Sequence, residues 1–189
     1  MKAARDVFDS RSAWKELPSD FLSTLAAKLN SVKKATEFAL LCERTGILKN
    51  NIVGLVDLAG GDPDFVVGGV AATLTSYANA IANQRQFDQA KRALELVLLL
   101  KPRQVAAWVS MAGVAFYIGD CAAAVSWADR ALAFKPDPDS KDPWERGAGD
   151  FMTEEGEKVA AEALGEPEMI GAWKQIREQM KAIKDACRE

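Results

Sequence analysis

Few residues in this chain could do chemistry, and their setting argues for solvation. Glu154-Glu155 and the triplet Asp137, Asp139 and Asp142 form its acid clusters. Neighbouring carboxylates of this kind can serve as general acid and base, or hold a hard cation. Both groups fall at linker or helix-start positions, where the helix dipole accounts for acids without catalysis. The three aspartates follow a calcium loop only in part: its sixth-position glycine and twelfth-position glutamate are missing. The chain contains no histidine. That removes the commonest general base, the Ser-His and Cys-His nucleophile systems and most transition-metal sites. No phosphate loop, GxSxG or CxxC pattern occurs. The residues therefore predict a non-enzyme with no metal and no cofactor.

The three cysteines, Cys42, Cys121 and Cys187, are far apart and odd in number. That pattern predicts neither a disulfide framework nor a zinc site, and it makes Cys121 a small buried thiol at a packing helix start. Composition sets wider bounds. The 189 residues are 49% apolar, enough for one sizeable core or a short solenoid. With 24 basic and 27 acidic residues the net charge is -3, which gives no electrostatic ground for a nucleic-acid or anionic-membrane partner. The densest apolar patch, Leu94 to Leu100, is broken by Glu95, so membrane insertion is not expected. The N-terminal Met1-Lys2-Ala3-Ala4-Arg5-Asp6 turns polar before a signal core forms, and a cytoplasmic location is the default expectation.

Helical periodicity dominates and strand signals are scarce. Ser19 is a candidate cap for a helix over Asp20–Asn30, with Phe21, Leu22, Leu25 and Leu29 at helical spacing. Ser31 is a candidate cap for Val32–Thr45, whose apolar face carries Val32, Ala35, Phe38, Ala39 and Cys42, and Gly46 suits a left-handed stop. A short apolar stretch, Ile52 to Leu58, runs to Gly60-Gly61. Asp62-Pro63-Asp64 then supplies a capping carboxylate, a proline for the first turn and a second acid. Gly68-Gly69 weakens the helix that follows by roughly 1 kcal/mol per glycine, or permits a close helix crossing.

A period of 34 residues organises the middle of the chain. Lys101-Pro102 recurs as Lys135-Pro136, and Ala72, Ala78, Ala90 and Leu98 recur as Ala106, Ala112, Ala124 and Leu132. Such a period belongs to a helix–turn–helix repeat. From Ala71 the chain resembles a tetratricopeptide repeat protein. Counted from Val105, Trp108, Met111, Ala112, Gly119, Ala124, Ala128, Ala131 and Pro136 occupy that family's signature positions. Counted from Ala71, Leu74, Tyr77, Ala78, Ala90, Leu94 and Pro102 do so, with Arg85 in place of the usual turn glycine and Val97 in place of alanine. Small residues at the two alanine positions let the paired helices approach closely, and the proline ends the second helix.

The expected architecture is all-α: a short right-handed solenoid of such repeats with flanking capping helices. Residues 1–61 are read as N-terminal helices forming a degenerate repeat or cap. Residues 62–138 hold two repeats with a lead-in helix, 139–152 a linker, and 153–189 C-terminal capping helices. In the last of these, Gly165 can end a helix over Glu154–Leu164 and Pro167 can open the next. Met169, Trp173, Ile176, Met180, Ile183 and Cys187 then make an apolar stripe. The stripe suits a cap lying on the last repeat; it also suits a dimerisation or partner-binding seam.

The resemblance implies a function. In such proteins the first helix of each repeat lines a concave groove that holds a peptide. The matching positions here are Ala72, Thr75, Asn79, Ala82 and Asn83, then Ala106, Val109, Gly113, Phe116 and Tyr117. The amides can hydrogen-bond a peptide backbone and the aromatic pair can anchor an apolar side chain. A carboxylate clamp is not expected, because Thr75, Ala106 and Ser110 stand where its basic or amide groups are needed. The favoured expectation is a non-catalytic adaptor or assembly scaffold that binds another protein through Thr75, Asn79, Asn83, Val109, Phe116 and Tyr117. The alternatives are a dedicated chaperone for a secreted or membrane-inserting client, and a homodimeric subunit joined through Met169, Trp173, Ile176 and Met180.

Overall fold

The computed structural model describes residues 2–48, 62–134 and 172–188, together with 52, 54 and 56, and every regular element among them is helical. The chain divides into two compact units, Met1–Gln104 and Val105–Glu189. The first holds α1 (Lys2–Asp9), a 3-10 turn (Ser12–Trp14), α2 (Ser19–Leu29), α3 (Val32–Thr45), α4 (Pro63–Asn83) and α5 (Phe87–Leu100). The second holds α6 (Val105–Tyr117), α7 (Cys121–Leu132) and α8 (Ala172–Ala186). The division falls between the two repeats read from the sequence. The predicted linker and the helix over Glu154–Leu164 lie outside the described residues, as do both acid clusters.

Local signals account for most helix ends. The Ser31 hydroxyl accepts from the Lys34 amide at 3.2 Å, and α3 stops at Gly46 with φ 69°. Asp62 accepts from the amides of Asp64 and Phe65, with Pro63 in the first turn of α4. Ser19 differs from expectation: Pro18 takes the capping position in extended backbone, no side chain caps the helix, and Ser19 is its first residue. Its hydroxyl and carbonyl instead accept from Arg5 of α1, at 3.4 and 2.6 Å. The helix ends at Leu29, with Asn30 in the left-handed region at φ 47°.

α4 is one continuous helix of 21 residues that runs through Gly68-Gly69, so the lead-in segment and the first repeat helix are a single rod. Both glycines are buried, and α4 packs against α2 and α5. Among the described residues it is the one helix long and apolar enough to cross a membrane, but more than half of that span is buried within the protein. Its hydropathy is that of a core helix.

The aromatic nucleus of the first unit is Phe8, Trp14 and Phe38, all fully buried, with ring centroids 4.8 Å (Phe8–Trp14) and 5.9 Å (Trp14–Phe38) apart. It draws α1, the 3-10 turn and α3 together. Beside it Arg11 holds Glu43 through two hydrogen bonds, Nε to Oε1 at 2.7 Å and Nη2 to Oε2 at 2.5 Å. These bonds and the charge of Arg11 keep the Glu43 carboxyl below the usual glutamate range, against the opposing effect of partial burial. The Trp14 indole N–H, buried without a partner in normal hydrogen-bond geometry, adds a smaller push in the same direction.

The reversals of the two repeat hairpins are alike. The Gln86 amide donates to the Ile81 carbonyl at 3.0 Å, and the Arg85 amide to Ala82 at 2.8 Å. In α6–α7 the Asp120 amide donates to Ala115 at 2.9 Å, and the Gly119 amide to Phe116 at 3.0 Å. Each partner in the second set stands 34 positions after its counterpart in the first. Both are Schellman closures around one left-handed residue, Arg85 at φ 61° and Gly119 at φ 81°. The helix boundaries keep the same interval, Asn83 with Tyr117 and Phe87 with Cys121. A side-chain cap follows only the second reversal, where Asp120 accepts from the Ala123 amide at 3.0 Å.

Three substitutions probe these contacts. Arg85→Gly removes the Cβ strain of the left-handed conformation and should stabilise the protein by about 0.5–1 kcal/mol in urea unfolding. Gly119→Ala should cost about 1 kcal/mol, purely from the backbone, because the added Cβ meets nothing within 4 Å. Equal effects of opposite sign at unrelated exposed sites would refute the shared turn geometry. Glu43→Gln should cost about 1 kcal/mol near neutral pH. A lowered carboxyl pKa contributes stability above the ordinary glutamate range and loses it as pH falls through the lowered value. The difference between Glu43→Gln and the parent should therefore vanish in acid, as read from the pH dependence of the urea midpoint.

Candidate functional site

The anticipated groove residues fall into two sets, one in each compact unit. On α4, Asn79 and Asn83 are exposed and lie one helical turn apart. Thr75, one turn earlier, is different: it is 3% exposed, and its hydroxyl donates to the Ala71 carbonyl at 2.8 Å. A buried hydroxyl satisfied within its own helix is a packing group, so Thr75 does not contribute a surface donor. On α6, Val109 and Phe116 are half-buried against the core of the second unit. Tyr117 is 71% exposed and meets Phe116 edge-on at 6.0 Å, and Ile118 beside it is 43% exposed. The surface of α6 thus ends in an aromatic and an aliphatic side chain held by the helix terminus.

The stripe on the last helix is occupied within its own unit. Met180 is 1% and Ile183 6% exposed, and both join Ala112, Ala115, Ala124, Ala128 and Ala131 in one core. Ile176 is half-buried at its edge. Met169 lies outside the described residues, and of Trp173 only its place in α8 is described. α8 packs on α7 and α6, with Lys184 paired to Asp129 of α7. The apolar seam is therefore a cap over the α6–α7 hairpin.

A disulfide fastens that cap, which corrects the reading of three unpaired cysteines. Cys121, the first residue of α7, is bonded to Cys187, just beyond α8, with Cα atoms 5.2 Å apart. A separation of 66 residues hides the pairing from sequence inspection; only the return of α8 along α7 brings the two thiols together. Cys121 is accordingly a half-buried disulfide sulfur, not a buried thiol. Cys42 stays free and buried. Burial, with a smaller contribution from nearby Glu43, pushes its thiol well above the usual range, so it is poorly reactive.

The first unit carries a cleft that the sequence did not announce. About 290 Å³ in volume, it lies among α3, α4 and α5. Ile81, Ala93 and Leu96 are buried in its floor, and Leu41 and Tyr77 are half-buried in its walls. Its rim carries Leu40, Glu37, Arg44, Gln89 and Arg92. Glu37, Leu40, Leu41 and Arg44 follow the i, i+3, i+4, i+7 spacing of one helix face, and Gln89, Arg92, Ala93 and Leu96 repeat it on α5. That spacing is visible in the sequence, but the pairing of the two faces is tertiary. Among the described residues, no three histidine, cysteine, aspartate or glutamate side chains gather as metal ligands. Searches against protein-family models, curated proteins and solved structures found no match.

Opening the staple should loosen the cap. Cys187→Ser, or reduction by dithiothreitol, should lower unfolding free energy by about 2–4 kcal/mol, given the length of the closed loop. Amides of α8 should gain hydrogen-exchange rate before those of α6. Unchanged exchange in α8 would show that Met180 and Ile183 hold the helix without the bond.

Proposed function

We propose that this chain is a non-catalytic binding module of tetratricopeptide type, an adaptor or assembly scaffold that takes a segment of another protein. One observation carries the reading: the two helical reversals share the same pair of backbone closures, the same left-handed residue position and the same helix boundaries at an interval of 34 residues. Recurrence of a helical hairpin at this interval supports a helical-repeat reading, and repeat proteins of that kind use their surfaces for binding. The exposed groups at the ends of α4 and α6 fit that role. Asn79 and Asn83 can donate to and accept from a peptide backbone regardless of its sequence, and Tyr117 with Ile118 offers a large apolar contact.

The disulfide favours one form of this reading over the others. Bonds such as Cys121–Cys187 persist in oxidising compartments and are rare in the cytosol. A chaperone or assembly factor for a secreted client fits that setting better than the cytoplasmic location suggested by the N-terminal residues.

Photo-crosslinking at native concentration tests the module. A photoreactive amino acid at Asn79 or Tyr117 should give a discrete protein adduct that unlabelled parent protein competes away, whereas the same group at exposed Lys33 should not. Phe116→Ala with Tyr117→Ala should abolish capture while the far-ultraviolet helical signal is retained. Adducts equally strong at all three positions would place recognition elsewhere.

A further inference from the structure

The cleft of the first unit has a charge pattern that selects its occupant. Arg44 and Arg92 stand on its rim from two different helices, and neither forms an ion pair among the described residues. Among the described lining residues the other charge is Glu37, which Lys34 engages at 3.4 Å. Between the arginines the floor is apolar, and Leu40, 38% exposed, carries that surface out to solvent. In a chain of net charge -3, two guanidinium groups without an ion pair among the described residues, flanking a leucine-lined cleft, form a local reversal of sign. Guanidinium groups bind carboxylates through two parallel hydrogen bonds, which positions as well as attracts. An apolar cleft with such a rim holds a large aliphatic or aromatic side chain whose neighbours are acidic.

We infer that the cleft bounded by Arg44, Arg92, Leu40 and Ile81 docks an acidic amphipathic segment of a partner protein, its apolar face on the floor and its carboxylates on the two arginines. This deepens the binding-module reading above and rests on it, and places a second contact on the face of α4 that carries Tyr77 and Ile81. Recognition is by class: apolar residues spaced along one helix face with glutamate or aspartate beside them.

The test uses the full chain and a fluorescein-labelled peptide built of Leu-Glu-Glu-Leu units, with a counterpart in which lysine replaces glutamate. Fluorescence anisotropy should show saturable binding of the acidic peptide, weakened about tenfold or more in the lysine version and by added salt. Arg44→Glu with Arg92→Glu should remove binding with helicity unchanged; Arg44→Gln with Arg92→Gln serves if the reversal perturbs folding. Gln175→Ala, at an exposed position of α8, should leave the affinity intact. Equal affinity for both peptides, or binding indifferent to the arginine substitutions, overturns the proposal. So does binding to phosphatidylglycerol vesicles without binding to the acidic peptide, since the arginines would then serve a membrane surface. An adduct at Tyr117 that persists while the arginine pair proves inert keeps the module reading and removes the cleft alone.

Discussion

Each repeat hairpin depends on reversing the chain within three residues while keeping its two helices in close contact. One residue in the left-handed region achieves the reversal, and the backbone bonds around it satisfy carbonyls that a helix end otherwise leaves exposed. Close contact needs small side chains, and alanines supply them: Ala78 and Ala90 in the first hairpin, Ala112 and Ala124 in the second, all fully buried. With the reversal and the small-residue contact fixed, the outward faces of the helices are free to vary. Asn79, Asn83, Arg92 and Tyr117 lie on such faces, whereas Arg44 reaches the cleft from α3 and Ile118 follows the end of α6.

The two units complete their cores by different means. In the first, an aromatic nucleus joins α1, the 3-10 turn and α3, and the long α4 supplies Val66, Val67, Val70 and Leu74 as buried ballast. Among the described residues of the second, α6 and α7 meet through buried alanines with Trp108, Phe116 and Trp127 half-buried around them, and Met180 and Ile183 of α8 close the core. The disulfide from Cys121 to Cys187 fixes α8 in place.

Local chemistry was legible in the sequence wherever it was decided locally. The caps at Ser31 and Asp62, the stop at Gly46 and the periodicity of the helices could be read from neighbouring residues, because each depends on a few adjacent side chains. Ser19 misled because the serine that could cap its own helix is engaged by Arg5 from another. The disulfide, the burial of Thr75 and the cleft were hidden for one shared reason: each is set by the packing of distant segments, and no spacing along the chain encodes it. Arg85 is the instructive middle case. Its mismatch with the expected glycine was visible, and the structure keeps the turn at the expense of a strained side-chain-bearing residue.

Amide chemical-shift mapping of the isotope-labelled full chain, titrated with the partner recovered by crosslinking, tests whether the outward helix faces bind a partner protein as proposed. Such binding should concentrate perturbations at Asn79 to Asn83, Phe116 to Ile118 and the α3–α5 cleft, with the turns at Arg85 and Gly119 retaining their left-handed coupling constants. Perturbations confined to α1 and α2, or collapse of the two turns on binding, would contradict it.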